Sequence, residues 1–184
     1  MGGKGKYVVY VGSLTVPLHN LWADFAIAYL KKKYPDMSMV GDRYGVAESV
    51  DDSRKTALDV LAANPDLGGF LTFGSQGPVG AGRALDEQHL CDKVPLVGSF
   101  SPGQGSALLK SGCIDGGYMW NPMEAGKVFV RLADFLAGGG EVKDGMTIEG
   151  LGVVHPDFKE GNIIVDALQP ITVDTVDKLA AMGL

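Results

Sequence analysis

Short apolar segments alternate with segments of helical periodicity from residue 6 to residue 119, and this alternation restricts the possible folds more than any other feature of the sequence. Residues 6–11 (KYVVYV) form a continuous run of β-branched and aromatic side chains that ends at Gly12, which is typical of a strand buried on both faces. Residues 20–34 place apolar side chains at helical spacing and end in three lysines and Pro35, which is typical of an amphipathic helix.

The same two patterns recur along the chain, with Gly, Pro and Asp between them. Short connections between apolar strands are the signature of a parallel sheet with helices on both faces. The sequence therefore predicts an α/β fold, a three-layer doubly wound parallel sheet. The predicted strands are 6–11, 38–40, 68–73, 94–98 and 114–119, and the predicted helices are 20–34, 49–63, 79–90 and 103–111. The apolar stripe of the first helix comprises Leu21, Trp22, Phe25, Ala26, Tyr29 and Leu30.

The pattern changes after residue 120. One more amphipathic helix is predicted at Pro122–Ala137, followed by three glycines, short strands at 150–155 and 163–165, and a terminal helix at 173–182. We therefore expect residues 1–121 to form an α/β lobe and residues 122–184 to form a helix with connecting and edge segments. The apolar side chains of the helix are Met123, Val128, Phe129, Leu132 and Leu136.

The charge balance argues against two classes of partner. Lys and Arg total 16 and Asp and Glu total 22, so the formal net charge is −6, whereas nucleic-acid and membrane-surface binders are usually basic. No apolar run approaches the roughly 20 residues of a membrane-spanning helix. The N-terminus lacks the apolar region of a secretory signal, so we do not expect the chain as written to direct its own export by that route.

Polar residues follow four of the predicted strands, and parallel strands end at one edge of a sheet, where ligands of such folds bind. Hydroxyls, amides, one imidazole and one indole come together there, with no carboxylate in these four segments. This mixture can hydrogen-bond hydroxyl groups and stack on a sugar face, but it offers no evident general acid or base. The candidate ligand-binding residues are Thr15, His19, Asn20, Ser75, Gln76, Ser101, Trp120 and Asn121.

Each candidate also has a structural interpretation. Ser75 and Ser101 could cap helices or shape turns, His19 could cap the first helix, and Trp120 could lie in the core. The convergence of four polar loops on one edge is stronger evidence than any single residue.

Enzyme and metal motifs are absent from the sequence. It contains no GxSxG nucleophile elbow, no GxxxxGK[ST] loop and no GxGxxG after the first strand, so we expect neither catalysis nor a cofactor. The three histidines and two cysteines show no metal-ligand spacing. Cys91 and Cys113 could be small buried side chains, or they could form a disulfide if the strands that they precede are neighbours.

Taken in order, several short motifs resemble the carboxyl-terminal lobe of type I periplasmic sugar-binding proteins of ABC transporters, and most closely the branch of autoinducer-2 and rhamnose binders. Each motif is weak alone, but their order and spacing cover nearly the whole chain. The motifs are VGSLT (11–15), NLW (20–22), YPD (34–36), NPDL (64–67), PVGAGRA (78–84), KVPLVG (93–98), KSG (110–112) and MWNP (119–122).

This resemblance implies one lobe of a periplasmic or extracellular two-lobed protein that closes around a sugar or small polyol and delivers it to an ABC permease. On this resemblance, we expect the chain to lack the amino-terminal lobe, and residues 122–140 resemble the segment that crosses into that lobe. Leu18 and His19 stand where autoinducer-2 binders have an Asp-Gln pair, so a different sugar or polyol is expected.

Other functions remain open at this stage. The same fold serves as the effector and dimerisation domain of sugar-responsive repressors, although this chain has no DNA-binding segment, and a half-protein could also lack affinity of its own. The helix Pro122–Ala137 needs an apolar partner in each case. We expect it to pack on a second copy in a homodimer, or to fold back on its own lobe.

Overall fold

The structure, a computed structural model, describes residues 1–163 and 168–184. Its helices are α1 (Pro17–Lys33), α2 (Val50–Ala63), α3 (Gly77–Glu87), α4 (Pro102–Lys110), α5 (Pro122–Ala137) and α6 (Val176–Ala181). Its strands are β1 (Lys4–Val11), β2 (Asp36–Met39), β3 (Leu67–Phe73), β4 (Leu96–Gly98), β5 (Gly117–Trp120), β6 (Thr147–Ile148), β7 (Gly152–Val153), β8 (Pro156–Asp157), β9 (Asn162–Ile163) and β10 (Leu168–Ile171). Two residues of the strand predicted at 163–165 lie within 164–167, and residues 164–167 are outside the described residues.

The chain forms two compact units. The first contains Met1–Met119 together with Pro170–Leu184, and the second contains Trp120–Gln169. Residues 170–184, which the sequence pattern grouped with α5, therefore belong to the first unit. The physical reason is packing, because Val176 and Leu179 on α6 are buried in the core of the first unit and α6 packs on α4.

A parallel sheet in the order β2-β1-β3-β4 forms the centre of the first unit, and this confirms the predicted α/β fold. The order places β1 beside β3, although the chain leaves β1 through α1 and leaves β3 through α3. Two adjacent strands whose connections run in opposite directions form a switch point, where a crevice opens beyond the strand ends. β5 pairs with β10, and the chain leaves the first unit within β5 and returns within β10.

The core on one face of the sheet is formed by α2, α3 and α4. Tyr10 is fully buried there and contacts the rings of Tyr44 and Phe70 edge to face. Burial raises the pKa of the Tyr10 phenol far above its ordinary value. This side of the sheet is therefore well packed.

The other face is covered by α1, whose inward side is smaller than the sequence suggests. Ala23, Ile27 and Leu30 pack on the sheet, whereas Phe25 is 68% exposed and Tyr29 is 60% exposed. The predicted stripe thus mixed two faces of the helix, because apolar residues surround much of α1. Periodicity alone did not identify the inward side.

A disulfide joins Cys91, which follows α3, to Cys113, which follows α4. The Cα atoms lie 4.3 Å apart, and the bond closes a chain segment with a sequence separation of 22 residues. This result decides between the two interpretations of the cysteines that the sequence left open, in favour of the disulfide. The bond encloses β4 and α4.

The second unit contains α5 and two short antiparallel pairs, β6 with β7 and β8 with β9. Asn121 caps α5, since its Oδ1 atom accepts hydrogen bonds from the backbone N–H groups of Met123 and Glu124. No residue of α5 is buried, and Phe129 is 68% exposed. None of the helices in the described residues has both the length and the apolar character that crossing a membrane requires.

Candidate functional site

Backbone hydrogen bonds of Ala47 join three loops at the edge where β1 and β3 end. The Ala47 N–H donates to the carbonyl of Val11 at 2.9 Å. Its carbonyl accepts hydrogen bonds from the N–H groups of Gln76, at 2.9 Å, and Gly77, at 3.0 Å. The loops after β1 and β3 and the segment before α2 are therefore held together by the main chain.

Two glycines let these loops approach so closely. Gly74 has φ +153°, and a Cβ atom there would lie 2.6 Å from the Cβ of Ala47. A Cβ at Gly12 would lie 2.5 Å from His19 Nδ1 and 2.8 Å from Glu48 Oε1. Real Cβ atoms do not come this close to other atoms, so both positions need glycine for the site to keep its shape.

A polar cluster of four side chains, His19, Glu48, Ser75 and Gln76, crosses the switch point. The Ser75 hydroxyl donates to Glu48 Oε2 at 3.1 Å, and Gln76 Nε2 donates to Ser75 Oγ at 3.4 Å. Glu48 Oε1 lies 3.8 Å from His19 Nδ1. The cluster thus links the loop after β1 to the loop after β3.

The hydrogen bonding of His19 assigns its tautomer. The Gly12 N–H donates to His19 Nδ1 at 3.2 Å, so this nitrogen is an acceptor and the ring proton lies on Nε2. The contact between Nδ1 and Glu48 is consequently not a hydrogen bond, because both atoms are acceptors. The imidazole ring also lies against Trp22, with ring centroids 5.5 Å apart. His19 is therefore held in place and has an N–H group to offer to a ligand.

Glu48 was missed in the sequence analysis, which considered the segments after the first, third, fourth and fifth predicted strands. The chain continues along β1 beyond the end of β2, with the Tyr44 N–H donating to the Val9 carbonyl at 3.0 Å and the Val11 N–H donating to the Tyr44 carbonyl at 2.8 Å. This extension carries Glu48 to the same edge. The available signal was its position directly before the helix predicted at 49–63.

Asn20 is committed to the shape of its own loop. Its Nδ2 atom donates to the carbonyls of Ser13, at 3.0 Å, and Val16, at 2.8 Å. Its Oδ1 atom accepts from Arg43 Nη1 at 3.1 Å, and Arg43 also binds Asp24. Because these bonds occupy both ends of the amide, Asn20 positions the loop.

The remaining candidates differ in their surroundings. Thr15 is exposed, and its hydroxyl lies 3.0 Å from that of Ser13. Ser101 precedes α4 without capping it through its side chain. Trp120 and Asn121 belong to the second unit, where Trp120 is half exposed, so it is not a core residue, and Asn121 is 3% exposed and caps α5.

The structure thus brings His19, Ser75 and Gln76 into one cluster and adds Glu48. The cluster combines an imidazole N–H, a carboxylate, a hydroxyl and an amide, which can together exchange hydrogen bonds with several hydroxyl groups. Glu48 accepts the hydrogen bond of Ser75, and the imidazole acceptor of His19 is occupied by Gly12. This arrangement favours binding over nucleophilic chemistry.

Solved structures with the same fold are similar over almost the whole chain. A sugar ABC transporter from Actinomyces odontolyticus ATCC 17982 is 23% identical with a TM-score of 0.81, and the match covers 96% of this chain and 58% of that one. LsrB from Clostridium saccharobutylicum, in complex with AI-2, is 21% identical with a TM-score of 0.80, and the match covers 94% of this chain and 58% of LsrB. An ABC transporter solute binding protein from Clostridium phytofermentas, with bound L-rhamnose, is 21% identical with a TM-score of 0.82. The match covers 98% of this chain and 61% of that protein.

The chain therefore spans about three fifths of the length of these proteins. The likeness agrees with the motif-based resemblance and confirms the predicted type of fold. The model of one family, described as a periplasmic binding protein domain, matches residues 1–141. The chain belongs to the periplasmic binding protein domain family.

Proposed function

We propose that this chain binds a sugar or a small polyol at the polar cluster, as the carboxyl-terminal lobe of a substrate-binding protein of an ABC transporter. The observation that carries the proposal is the position of His19, Glu48, Ser75 and Gln76 at the switch point of a periplasmic-binding-protein fold. Relatives with this fold were solved with AI-2, L-rhamnose and D-arabinose. The family consists of binding domains, so the prediction that the chain is not an enzyme is confirmed.

The side chains divide the work of recognition by their hydrogen-bonding character. His19 donates through Nε2, Glu48 accepts, and Ser75 and Gln76 can adapt to either role. Thr15, which follows β1, and Ser101, which follows β4, add hydroxyls at the edge where the parallel strands end. Asn20 contributes by positioning its loop, since both ends of its amide are already hydrogen-bonded.

The disulfide supports a location outside the cytoplasm. Disulfides persist in oxidising compartments, which include the bacterial periplasm, and are rare in the cytosol. The family is periplasmic, and the bond between Cys91 and Cys113 suits that environment. We place the parent protein there, where it delivers its ligand to an ABC permease.

A partner for α5 follows from its exposed apolar side chains. Phe129, Val130 and Leu136 are exposed, and burying such a side chain is worth roughly 1.5–3 kcal/mol. In a longer parent protein the amino-terminal lobe would cover this helix, and a second copy would cover it when the chain is alone. Light scattering is expected to show a dimer that Phe129→Asp splits, whereas a monomer near 19.3 kDa would contradict this arrangement.

Calorimetric titration with a panel of pentoses and hexoses tests the binding proposal. We expect one neutral sugar to bind weakly, because half of the enclosing surface is absent and the ligand stays largely hydrated. Ser75→Ala should weaken that binding about tenfold, as expected for one lost hydrogen bond of about 1–1.5 kcal/mol. The matched control Ser38→Ala removes an exposed hydroxyl on β2 and should leave affinity unchanged. If no sugar binds the folded chain, or if the two variants behave alike, the proposal is wrong.

A further inference from the structure

We infer that Glu48 makes the proposed site select neutral polyols and reject the same sugars when they carry a carboxylate. The inference rests on the proposed function, since it concerns the same cluster. In this inference Glu48 discriminates between ligands by their charge. The other members of the cluster supply hydrogen bonds that neutral and charged sugars can form equally well.

The first argument is the unused hydrogen-bonding capacity of the carboxylate. Oε2 accepts from Ser75, whereas Oε1 faces His19 Nδ1, which is itself an acceptor for the Gly12 N–H. Among residues 1–163 and 168–184, no donor is bound to Oε1. The side chain is 50% exposed, so ligand hydroxyls can reach this oxygen. Hydrogen bonds from hydroxyls to an ionised carboxylate are about twice as strong as those between neutral groups.

The second argument is the shortage of positive charge around Glu48. Within 4.0 Å of its oxygens, the described part of the chain places no Lys or Arg nitrogen, and the contact with His19 involves an unprotonated ring atom. The loops at 12–20, 74–78 and 99–104 contain no Lys or Arg. Arg43, which lies in the segment between β2 and Glu48, is bound to Asn20 and Asp24.

These two arguments together set the ligand class. A neutral polyol can donate two hydroxyl hydrogens to the carboxylate without placing a second charge beside it. A carboxylated sugar would bring its negative charge to within contact distance of a carboxylate that no cation neutralises, and like charges at that distance repel. The site therefore favours a neutral sugar over the same sugar carrying a carboxylate.

Calorimetry with the whole chain at pH 7 tests the inference on two matched pairs, D-galactose with D-galacturonate and D-glucose with D-glucuronate. We expect the neutral sugar of at least one pair to bind at least tenfold more tightly than its acid. Glu48→Gln keeps the size of the side chain and an acceptor for Ser75 but removes the charge. It should reduce that preference at least fivefold. Glu149→Gln, an exposed glutamate of the second unit, serves as the control and should leave the preference intact.

Ser75→Ala separates charge selection from loop positioning. This variant removes the hydrogen bond that ties Glu48 to the loop after β3 but keeps the charge, so affinity should fall while the preference for the neutral sugar remains. Equal binding of neutral and acidic sugars by the unmodified chain would refute the inference and leave the proposed function standing. A preference that Glu48→Gln does not change, or that Ser75→Ala abolishes equally, would refute it as well. No binding of any sugar would reject the proposed function and the inference together.

Discussion

Replacing both Cys91 and Cys113 by alanine is expected to lower the free energy of unfolding of the first unit by about 3 kcal/mol. The disulfide joins the ends of α3 and α4 and closes a segment with a sequence separation of 22 residues. A cross-link of this kind restricts the unfolded chain far more than the folded one. Alanine is the better replacement, because serine would place a hydroxyl at Cys113, which is buried.

The magnitude follows from the entropy of closing the loop. For about 22 residues the chain-entropy relation gives roughly 11 cal/mol/K, or about 3.4 kcal/mol at 25 °C. With a urea dependence of about 2 kcal/mol per molar, this loss lowers the unfolding midpoint by about 1.7 M. The expected effect is thus much larger than the error of a urea titration.

Tryptophan fluorescence can report on the first unit alone. Trp22 lies on α1, so Trp120→Phe leaves one tryptophan, and it belongs to the unit that holds the disulfide. In this background, reducing the disulfide should lower the urea midpoint as much as the double alanine variant does, whereas the reductant should not affect that variant. If the oxidised protein and the double variant unfold within about 0.3 M of each other, the loop-closure reasoning is refuted.

Three further predictions concern stability. Gly74→Ala should destabilise the first unit by more than about 2 kcal/mol in urea unfolding, because it combines strain at positive φ with a clash. The matched Gly112→Ala has positive φ but open space, and should cost about 1 kcal/mol. Asn121→Ala should lower the thermal midpoint of the second unit through the loss of about 1 kcal/mol of helix capping, and equal midpoints would exclude the cap. The hydrogen bond from Arg54 holds the pKa of Glu87 below its ordinary value near 4.5, so the pair stabilises the protein above that pH and its contribution is lost as the pH falls below it. The urea midpoints of Glu87→Gln and the parent should consequently differ at pH 7 and converge as the pH falls through the lowered pKa of Glu87; a gap that stays constant would contradict this assignment.

The alternation of strands and helices was readable from the sequence because it reflects local periodicity and burial. The β-branched run that became β1 is buried along most of its length, and α5 has the predicted bounds Pro122–Ala137. The edge on which His19, Ser75 and Gln76 meet also followed, since parallel strands end at one edge. These properties depend on a few neighbouring residues at a time.

Properties that depend on distant backbone contacts were not readable in this way. Glu48 reaches this edge because the chain beyond β2 hydrogen-bonds to β1 as far as Ala47, and no local pattern marks that extension. The inward side of α1 depends on which of its apolar residues pack against the sheet. Ala23 packs there, whereas Phe25 is exposed. The return of residues 170–184 to the first unit likewise depends on the pairing of β10 with β5.

The departure and return of the chain through two paired strands has a consequence for protein engineering. Paired strands lie about 4.8 Å apart, so a linker of a few residues can join β5 directly to β10. Residues 120–169 are, in these terms, an insertion with neighbouring ends, the kind of segment that tolerates excision or exchange. Removing them would leave a minimal scaffold that keeps the parallel sheet, the disulfide and the polar cluster.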